Sequence, residues 1–323
     1  MKIYVSLHPR SIGGGSNTFA GLFKKWAKKR GDKIVRNIEQ AELAIIVAHL
    51  ADENELIRGK RKGCRIIHRL DEFFEQNESD ARRKKHSKII SLNRHADITV
   101  FQSRFVCENV YPHIQPRHYR IIHNGSDPEK FYPGKESGNY IGHVTWGIDT
   151  KKRLDLLYEF VRKHPREQFI LIGRQKESQY DFDLPNVRAV GKVRRWKLPK
   201  YFRMMKFLYY PSEKDPCPNS VVEAILSGVP VCYNDDGGTS ELVKGETEQE
   251  LQEPQTIING EIEASQVSPE DKICGLPLDG AEAMMKDLEY FRNNCLNRAD
   301  LHFYKVYEKY HKAGLAELGN SLK

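Results

Sequence analysis

Two carboxylates in the stretch DPCPNSVVEAILSGVPV, residues 215–231, are the first candidates for chemistry. Asp215 opens a proline-stiffened loop, and Glu223 follows eight residues later near the start of a predicted helix. A helix N-terminus favours an anion, and a carboxylate held there can accept hydrogen bonds from hydroxyl groups. Ser220 and Glu223 also have the spacing of a capping box, so the local pattern leaves a structural role for Glu223 open.

The helix that carries Glu223 is predicted to be short. Asn219 or Ser220 can cap its start, and Gly228 with Pro230 ends it after about two turns. The apolar residues that follow predict a buried strand. The same alternation of short strands and helical patterns runs along the whole chain. The predicted strands are KIYVSLH, ELAIIVAHL, CRIIHRLD, DITVFQS, YRIIHNGSD, NYIGHVTW, QFILIGR, VRAVGKV, KFLYYPS and VPVCYND.

Such alternation predicts an α/β protein with two doubly wound parallel sheets. The 323 residues are enough for two domains, each with its own core. Pro, Gly and Ser gather at 131–139, so we expect a first domain over 1–133 and a second over 134–290. The helices of 291–323 are expected to pack back toward the first domain, and 244–273 to form an irregular excursion. Because ligands of such sheets bind beyond the carboxyl ends of the strands, the polar clusters that follow the strands are expected to line one cleft between the domains.

Two polar clusters of the first half also follow predicted strands. The Gly-rich GGGSN at 13–17 lacks the spacing of a dinucleotide fingerprint or a P-loop, but Gly14 and Gly15 can let the backbone approach a phosphate or a sugar. A plain tight turn is the alternative. In HRLDEF, Asp71 can orient or deprotonate a hydroxyl group, or it can cap the next helix. His68 is expected to be a hydrogen-bonded strand residue.

Charge is uneven along the chain. Residues 1–133 hold 25 basic and 15 acidic residues, a net charge of +10, while the remainder holds 27 and 29, a net charge of −2. Basic clusters at 24–30 and 82–88 predict solvated helix faces or contact with an anionic membrane or acceptor. At 24–30 the apolar side chains of Phe23 and Trp26 share a helix face that could lie on a bilayer or pack into the core. No nucleic-acid-binding motif is present, so no such partner is expected.

Several sequence features argue against other classes of protein. The six cysteines have neither disulfide nor zinc-site spacing, which favours reduced thiols in a cytoplasm. The sequence predicts no transmembrane span and no cleaved signal. The DFD at 181–183 imitates a metal-binding Asp-x-Asp motif, but it precedes a predicted strand in a loop and is interpreted as incidental. No metal site is therefore expected.

With these features assembled, the sequence resembles the retaining glycosyltransferases of the GT-B fold, especially family 4. The resemblance covers nearly all of the chain and is most specific at 215–231, which is similar to the family pattern of two acids separated by seven residues. The sequence departs from that pattern at two positions. Asp215 stands where the pattern has Glu, and Gly147 stands where the family has an Arg about five residues before Lys152.

The resemblance implies a GT-B fold of two Rossmann-like domains facing a cleft and assigns roles to individual residues. Asp215 would accept hydrogen bonds from the transferred sugar, Glu223 would bind the ribose hydroxyls, and Lys152 would neutralise the diphosphate. Arg153, Lys151 or Arg174 would replace the missing Arg. Asp71 matches the acid of a His-Asp step on the acceptor side. The catalytic set is Asp71, Lys152 and Asp215, and the donor-binding set is Gly14, Gly15, Lys152, Arg153, Pro218, Asn219, Ser220 and Glu223.

The function implied is transfer of a hexose or pentose, with retention, from a UDP- or GDP-sugar to a hydroxyl of a glycan, glycolipid or other acceptor. Neither a metal nor another cofactor is implied, because Lys152 and helix amides can stabilise the departing phosphate. The alternatives are a non-catalytic nucleotide-sugar-binding module and a GT-B epimerase. A cytoplasmic location is expected, with peripheral contact at the inner face of a membrane left open.

Overall fold

The structure is a computed structural model that describes residues 1–7, 14–75, 78–244, 273–299 and 306–316. These residues divide into two compact units. The first holds the described residues of Met1–Asn124 and Lys305–Lys323, and the second holds those of Gly125–Glu246 and Val267–Tyr304. Gly13 and residues 245–272 of the expected irregular excursion lie outside the described residues.

Short strands and helices alternate along both units. The strands are Lys2–Val5 (β1), Lys33–Val35 (β2), Leu43–Val47 (β3), Arg65–Leu70 (β4), Ile98–Phe101 (β5), Tyr119–Ile121 (β6), Tyr140–Thr145 (β7), Gln168–Gly173 (β8), Val187–Gly191 (β9), Met205–Tyr210 (β10), Val231–Tyr233 (β11) and Gly275–Pro277 (β12). The α-helices are Gly15–Lys29 (α1), Glu53–Arg61 (α2), Asp80–Asn93 (α3), Arg104–Ile114 (α4), Leu154–Lys163 (α5), Leu198–Phe202 (α6), Asn219–Leu226 (α7), Thr239–Lys244 (α8), Ala281–Lys286 (α9), Leu288–Ala299 (α10) and Val306–Ala316 (α11).

The strands form two parallel sheets, one in each unit. Over the described residues, the first sheet has the order β2-β1-β3-β4-β5-β6 and the second has the order β12-β11-β10-β7-β8-β9. All strand pairs are parallel, which requires a crossover connection between neighbouring strands. The two doubly wound parallel sheets predicted from the sequence are therefore confirmed.

Each sheet is buried on both faces, as parallel sheets require. In the second unit, Ile170 and Ile172 of β8 join a core with α6 and α7, whereas Phe169 and Leu171 point to the opposite face and join a core with α5 and α9. Side chains alternate along a strand, so one apolar run supplies both cores. The six cysteines are buried and free of disulfide bonds.

Helix α1 resolves one of the alternatives that the sequence left open. Phe23 and Ala27 are fully buried, and the Phe23 ring lies 6.2 Å from the rings of both Tyr307 and Tyr310 in α11. The Trp26 ring also packs against α11, with its centre 6.3 Å from that of the Tyr307 ring. The apolar face of α1 therefore packs inside the first unit and is not available to a bilayer. None of the described helices is long and apolar enough to cross a membrane.

Candidate functional site

The strand order of the second unit marks the place where a ligand is expected. The chain winds outward from the middle of the sheet in one direction through β7, β8 and β9, and in the other through β10, β11 and β12. In open α/β sheets a ligand crevice lies beyond the carboxyl ends of the two strands at which the order reverses. Those strands are β7 and β10, and they are followed by loops 146–153 and 211–218.

These two loops bring Lys152 and Asp215 together. The Nζ of Lys152 donates a hydrogen bond to Oδ2 of Asp215 at 3.0 Å, and the phenol of Tyr210 donates to the same oxygen at 2.7 Å. Tyr210 is the last residue of β10 and is buried. The oxygen of Tyr210 and the carboxylate of Asp215 raise the pKa of Lys152 above its ordinary value. Lys152 is therefore a protonated cation at every pH near neutrality.

Backbone contacts hold the loop around Asp215 in one conformation. The amide of Glu213 donates to the carbonyl of Lys151 at 2.8 Å, and the amide of Gly238 donates to the carbonyl of Asp215 at 3.0 Å. Gly237 has φ of +134°, and a Cβ there would come within 2.9 Å of the Asp215 amide nitrogen. Only glycine fits so close to another backbone. The loop after β11 therefore closes against the Asp215 loop.

Helix α7 begins differently from the sequence prediction. It starts at Asn219 with Pro218 at the N-cap position, and no side chain caps it. Glu223 is thus the fifth residue of the helix and cannot make the capping-box contact, which requires the third position. The predicted cap by Asn219 or Ser220 was wrong because proline, which lacks an amide hydrogen and has a fixed φ, occupies the last position before the helix.

The Glu223 carboxylate instead makes an ion pair inside the second unit. Its Oε1 contacts Nη2 of Arg195 and lies 3.5 Å from Oγ of Ser126. Only 2% of its side chain is exposed. Burial raises the pKa of Glu223, while Arg195 and Ser126 act in the opposite direction. A buried carboxylate with one cation partner can still accept hydrogen bonds from hydroxyl groups of a ligand.

Of the three residues considered as substitutes for the missing Arg, two are engaged with carboxylates. Arg153, which precedes α5 with φ of +45°, pairs with Asp155 at 2.8 Å and with Glu213. Arg174 pairs with Glu177 at 2.8 Å. Arg153 lies one residue from Lys152 in the loop after β7.

In the first unit, Asp71 lies directly after β4. Its Oδ2 accepts hydrogen bonds from Nη1 of Arg69 at 2.9 Å and from Oγ of Ser16. Its Oδ1 is buried without a partner among the described residues. The next helix, α3, begins at Asp80 and is capped by Ser79, so the alternative that Asp71 caps this helix is wrong. The unpartnered oxygen leaves Asp71 able to accept a hydrogen bond from a ligand.

Two histidines lie at the same edge of the first sheet. His68 is fully buried, donates to the carbonyl of Ala48 at 2.9 Å, and its other ring nitrogen lies 3.0 Å from Nδ2 of Asn93. Burial lowers the pKa of His68 to about 4, so its ring is neutral and structural. His49 follows β3, whose residues pair with β4 up to Val47 opposite Arg69. Burial lowers the pKa of His49 and the Asp71 carboxylate acts in the opposite direction, so the two side chains interact, a proximity that sequence spacing did not predict.

The Gly-rich segment opens α1. Gly14 precedes the helix with φ of +98°, in the left-handed region that favours glycine, and its carbonyl accepts the amide of Thr18 at 3.1 Å. Gly15 is the first residue of the helix. Both glycines and Asp71 belong to the first unit, whereas Lys152, Asp215, Pro218, Asn219, Ser220 and Glu223 belong to the second.

The DFD motif lies in the loop before β9. Asp181 accepts the amide of Asp183 at 2.9 Å, and Phe182 between them is buried in the core. Across the part of the chain that the structure describes, no group of three or more His, Cys, Asp or Glu side chains could hold a metal ion.

Three residues of the site were not predicted from the sequence. Tyr210 was identified only as a strand residue, and Arg195 and Ser126 carried no motif. Tyr210 contacts Asp215 only five residues away, but Ser126 contacts Arg195 and Glu223 across 69 and 97 residues of the chain. Local spacing contains no signal for such pairs.

Residues 139–261 match the family model of glycosyl transferases group 1. The predicted resemblance to glycosyl transferases group 1 is thus confirmed over this segment. A similar protein is the Vi polysaccharide biosynthesis protein VipC/TviE of Salmonella typhi, which is 22% identical over 174 residues. That match covers 45% of this chain and 29% of the relative, so the chain spans under a third of the length of this curated relative.

Two solved structures share this fold over 97% of the chain. Anabaena Alr3699/HepE in complex with UDP superposes with a TM-score of 0.67 at 14% identity, covering 97% of this chain and 99% of that one. WaaG, a glycosyltransferase involved in lipopolysaccharide biosynthesis, gives a TM-score of 0.63 at 11% identity with the same coverage. The predicted fold class, a GT-B arrangement with two Rossmann-like parallel sheets, is confirmed by these similarities.

Proposed function

We propose that this protein is a retaining glycosyltransferase that moves a hexose or pentose from a nucleotide diphosphate sugar to a hydroxyl of a glycan, glycolipid or other acceptor. The proposal rests on the contact between Lys152 and Asp215. This contact lies beyond the carboxyl ends of β7 and β10, the two strands at which the order of the second sheet reverses. At this place the cation can bind the diphosphate and the carboxylate can bind the sugar, on the two sides of the bond that breaks. The group 1 match at 139–261 includes both residues.

The site residues of the second unit have distinct roles in the proposed reaction. Lys152 neutralises the negative charge that develops on the departing diphosphate as the bond to the sugar breaks, and Arg153 can assist it. Asp215, fixed by Tyr210, accepts hydrogen bonds from hydroxyls of the transferred sugar. Glu223 accepts hydrogen bonds from the ribose. The backbone of Pro218–Ser220 at the start of α7 lies against the sugar.

Binding of the donor to Lys152 requires the lysine to exchange partners. The Nζ of Lys152 contacts Oδ2 of Asp215 at 3.0 Å. A diphosphate brings more negative charge than one carboxylate, and Asp215 keeps its hydrogen bond from Tyr210 at 2.7 Å. The ion pair therefore holds Lys152 in place before the donor arrives and frees Asp215 for the sugar afterwards.

The neighbours support the choice of donor class. HepE was solved with UDP, with UDP and glucose, and with UDP-glucose. WaaG and the Salmonella relative are named for lipopolysaccharide and polysaccharide biosynthesis. We propose that this protein likewise uses a nucleotide-sugar donor. In the first unit, Asp71 serves the acceptor, and Gly14 and Gly15 serve the donor phosphates. We further propose that transfer needs no metal ion and takes place in the cytoplasm.

Release of free nucleotide from a panel of UDP-, GDP- and dTDP-sugars tests the proposal. The wild-type protein should release nucleotide from at least one donor, and Asp215→Asn should lower that rate at least 100-fold, since it removes the carboxylate that contacts the sugar. Lys163→Gln, a change at an exposed ion pair of the same unit, is the matched control and should keep the wild-type rate. Nucleotide binding without release by the wild type would instead select the non-catalytic binding module.

A further inference from the structure

An arginine that no sequence motif identified contacts the buried carboxylate of the second unit. Arg195 lies in the 3₁₀ turn Arg195–Lys197 between β9 and α6. Its guanidinium contacts Oε1 of Glu223, donates to Oγ of Ser126 at 3.3 Å, and lies 5.5 Å from the centre of the Phe131 ring. Segment 126–131 thus holds the Arg195 guanidinium against the Glu223 carboxylate of α7.

The burial of the two partners is unequal. Glu223 is 2% exposed, whereas 36% of the Arg195 side chain is exposed. A buried carboxylate without a cation becomes protonated more easily, because burial penalises the charged form. Arg195 and Ser126 oppose this effect at Glu223. Asp127 next to Ser126 is paired with Lys130 at 3.7 Å, and the cation that lowers the pKa of Glu223 against the effect of burial is Arg195.

We propose that Arg195 is a positioning residue that keeps the Glu223 carboxylate charged and oriented toward the ribose hydroxyls of the donor. This inference rests on the function proposed above, in which Glu223 binds the ribose. A carboxylate has lone pairs for about four hydrogen bonds, and Arg195 and Ser126 both contact Oε1. Oε2 thereby stays available for the ligand. The planar guanidinium suits this task because one group reaches both the carboxylate and the serine.

A positioning role for Arg195 differs from a purely structural ion pair in the pH dependence of nucleotide binding that it predicts. With Arg195 present, the guanidinium opposes the rise that burial causes in the pKa of Glu223, so the carboxylate stays charged to a lower pH than it would without this cation. In Arg195→Gln the pKa of Glu223 rises further, and protonated Glu223 binds ribose hydroxyls less well. The affinity of this variant relative to wild type should therefore be lowest at pH 6 and should recover toward pH 9.

Calorimetric titration with UDP, GDP and dTDP at pH 6, 7.5 and 9 provides the test. The nucleotide phosphates titrate equally in all variants. The ratio of the variant dissociation constant to that of wild type therefore reports only the titration of groups in the protein. For Arg195→Gln we expect this ratio to be roughly 10 to 100 at pH 6, the effect of losing a charged hydrogen bond, and to fall severalfold by pH 9. Arg195→Lys keeps the positive charge but lacks the planar guanidinium with its several donors, and it should show a smaller ratio.

Two further variants make the outcome specific. In Arg195→Gln combined with Glu223→Gln the ratio should no longer vary with pH, because the titrating carboxylate is gone. Arg194→Gln changes an exposed neighbour in the same segment and should bind as wild type does. Thermal unfolding of each variant checks that it is folded, and should Arg195→Gln fail to fold, the pH profile of Arg195→Lys decides the question.

The possible failures are distinguishable. If wild type binds none of the three nucleotides, the proposed function falls and this inference falls with it. If wild type binds but Arg195→Gln binds equally well, the positioning role is refuted while the donor function stands. A weakening that is the same at every pH would also refute it, because it would mean that Arg195 contacts the nucleotide itself.

Discussion

Removing the Lys152 cation should destabilise the second unit in a way that the structure allows to be estimated. The Lys152 and Asp215 side chains are 23% and 17% exposed, and their charged atoms are 3.0 Å apart. Exposed pairs contribute about 0 to 1 kcal/mol, and breaking a fully buried pair costs about 3 to 5 kcal/mol. For this mostly buried pair we expect Lys152→Gln to lower the free energy of unfolding by about 2 kcal/mol, measured by urea denaturation.

The matched control is Lys163→Gln. Lys163 makes a 3.3 Å pair with Glu282 in the same unit, but the two side chains are 72% and 62% exposed. The same substitution there should cost less than about 0.5 kcal/mol.

The pH dependence gives a second check on Lys152. Because the pKa of Lys152 is raised in the folded protein, its stabilisation is fully present below its ordinary value near 10.5 and is lost only at higher pH. The difference between wild type and Lys152→Gln should therefore be constant from pH 6 to pH 9. Equal losses for the two variants, or a difference that shrinks as pH rises through this range, would refute the electrostatic account of the site.

Three further predictions concern the ligand, the metal and pH. Glu223→Gln should weaken donor binding by about 1 to 3 kcal/mol in calorimetry, since it removes charged hydrogen bonds to the ribose; unchanged affinity would leave Glu223 only its pairing with Arg195. Transfer should persist in excess EDTA, and complete loss that Mn²⁺ restores would contradict the proposed metal independence. His143 is fully buried and donates to the carbonyl of Tyr209 at 3.0 Å, and burial lowers its pKa to about 4. The unfolded chain takes up a proton on this histidine first, so His143 alone should lower the free energy of unfolding by about 2 kcal/mol as pH drops from 7.5 to 5. A His143→Gln variant should lose that part of the pH dependence in urea denaturation, and an identical pH profile would show that His143 is not responsible.

Ten of the twelve described strands were predicted from the sequence because each is a short apolar run bounded by turn residues. The two that were missed are β2, Lys33–Val35, and β12, Gly275–Pro277. Both have three residues and lie at sheet edges, and β12 ends in proline, which reads as a break in a strand. Pairing with a neighbouring strand, rather than local pattern, makes these segments strands.

The candidate site was predictable only in part, for a related reason. Asp215 and Glu223 stand in one contiguous pattern, and Lys152 lies in a second, so resemblance was sufficient to single them out. Tyr210 and Arg195 act through contacts that the folded sheet creates. The predicted start of α7 was wrong because Ser220 and Glu223 keep the capping-box spacing although Ser220 is already the second residue of a helix that begins directly after Pro218.

The anomeric configuration of the first product tests the central claim most directly. With a donor from which wild type releases nucleotide, proton NMR can follow the sugar as it is transferred to water or to an added acceptor. A retaining transferase acting through the Lys152 and Asp215 site should first form the anomer that the donor carried, and Asp215→Asn should form it at least 100-fold more slowly. The opposite anomer as the first product, or an undiminished rate in Asp215→Asn, would contradict the account.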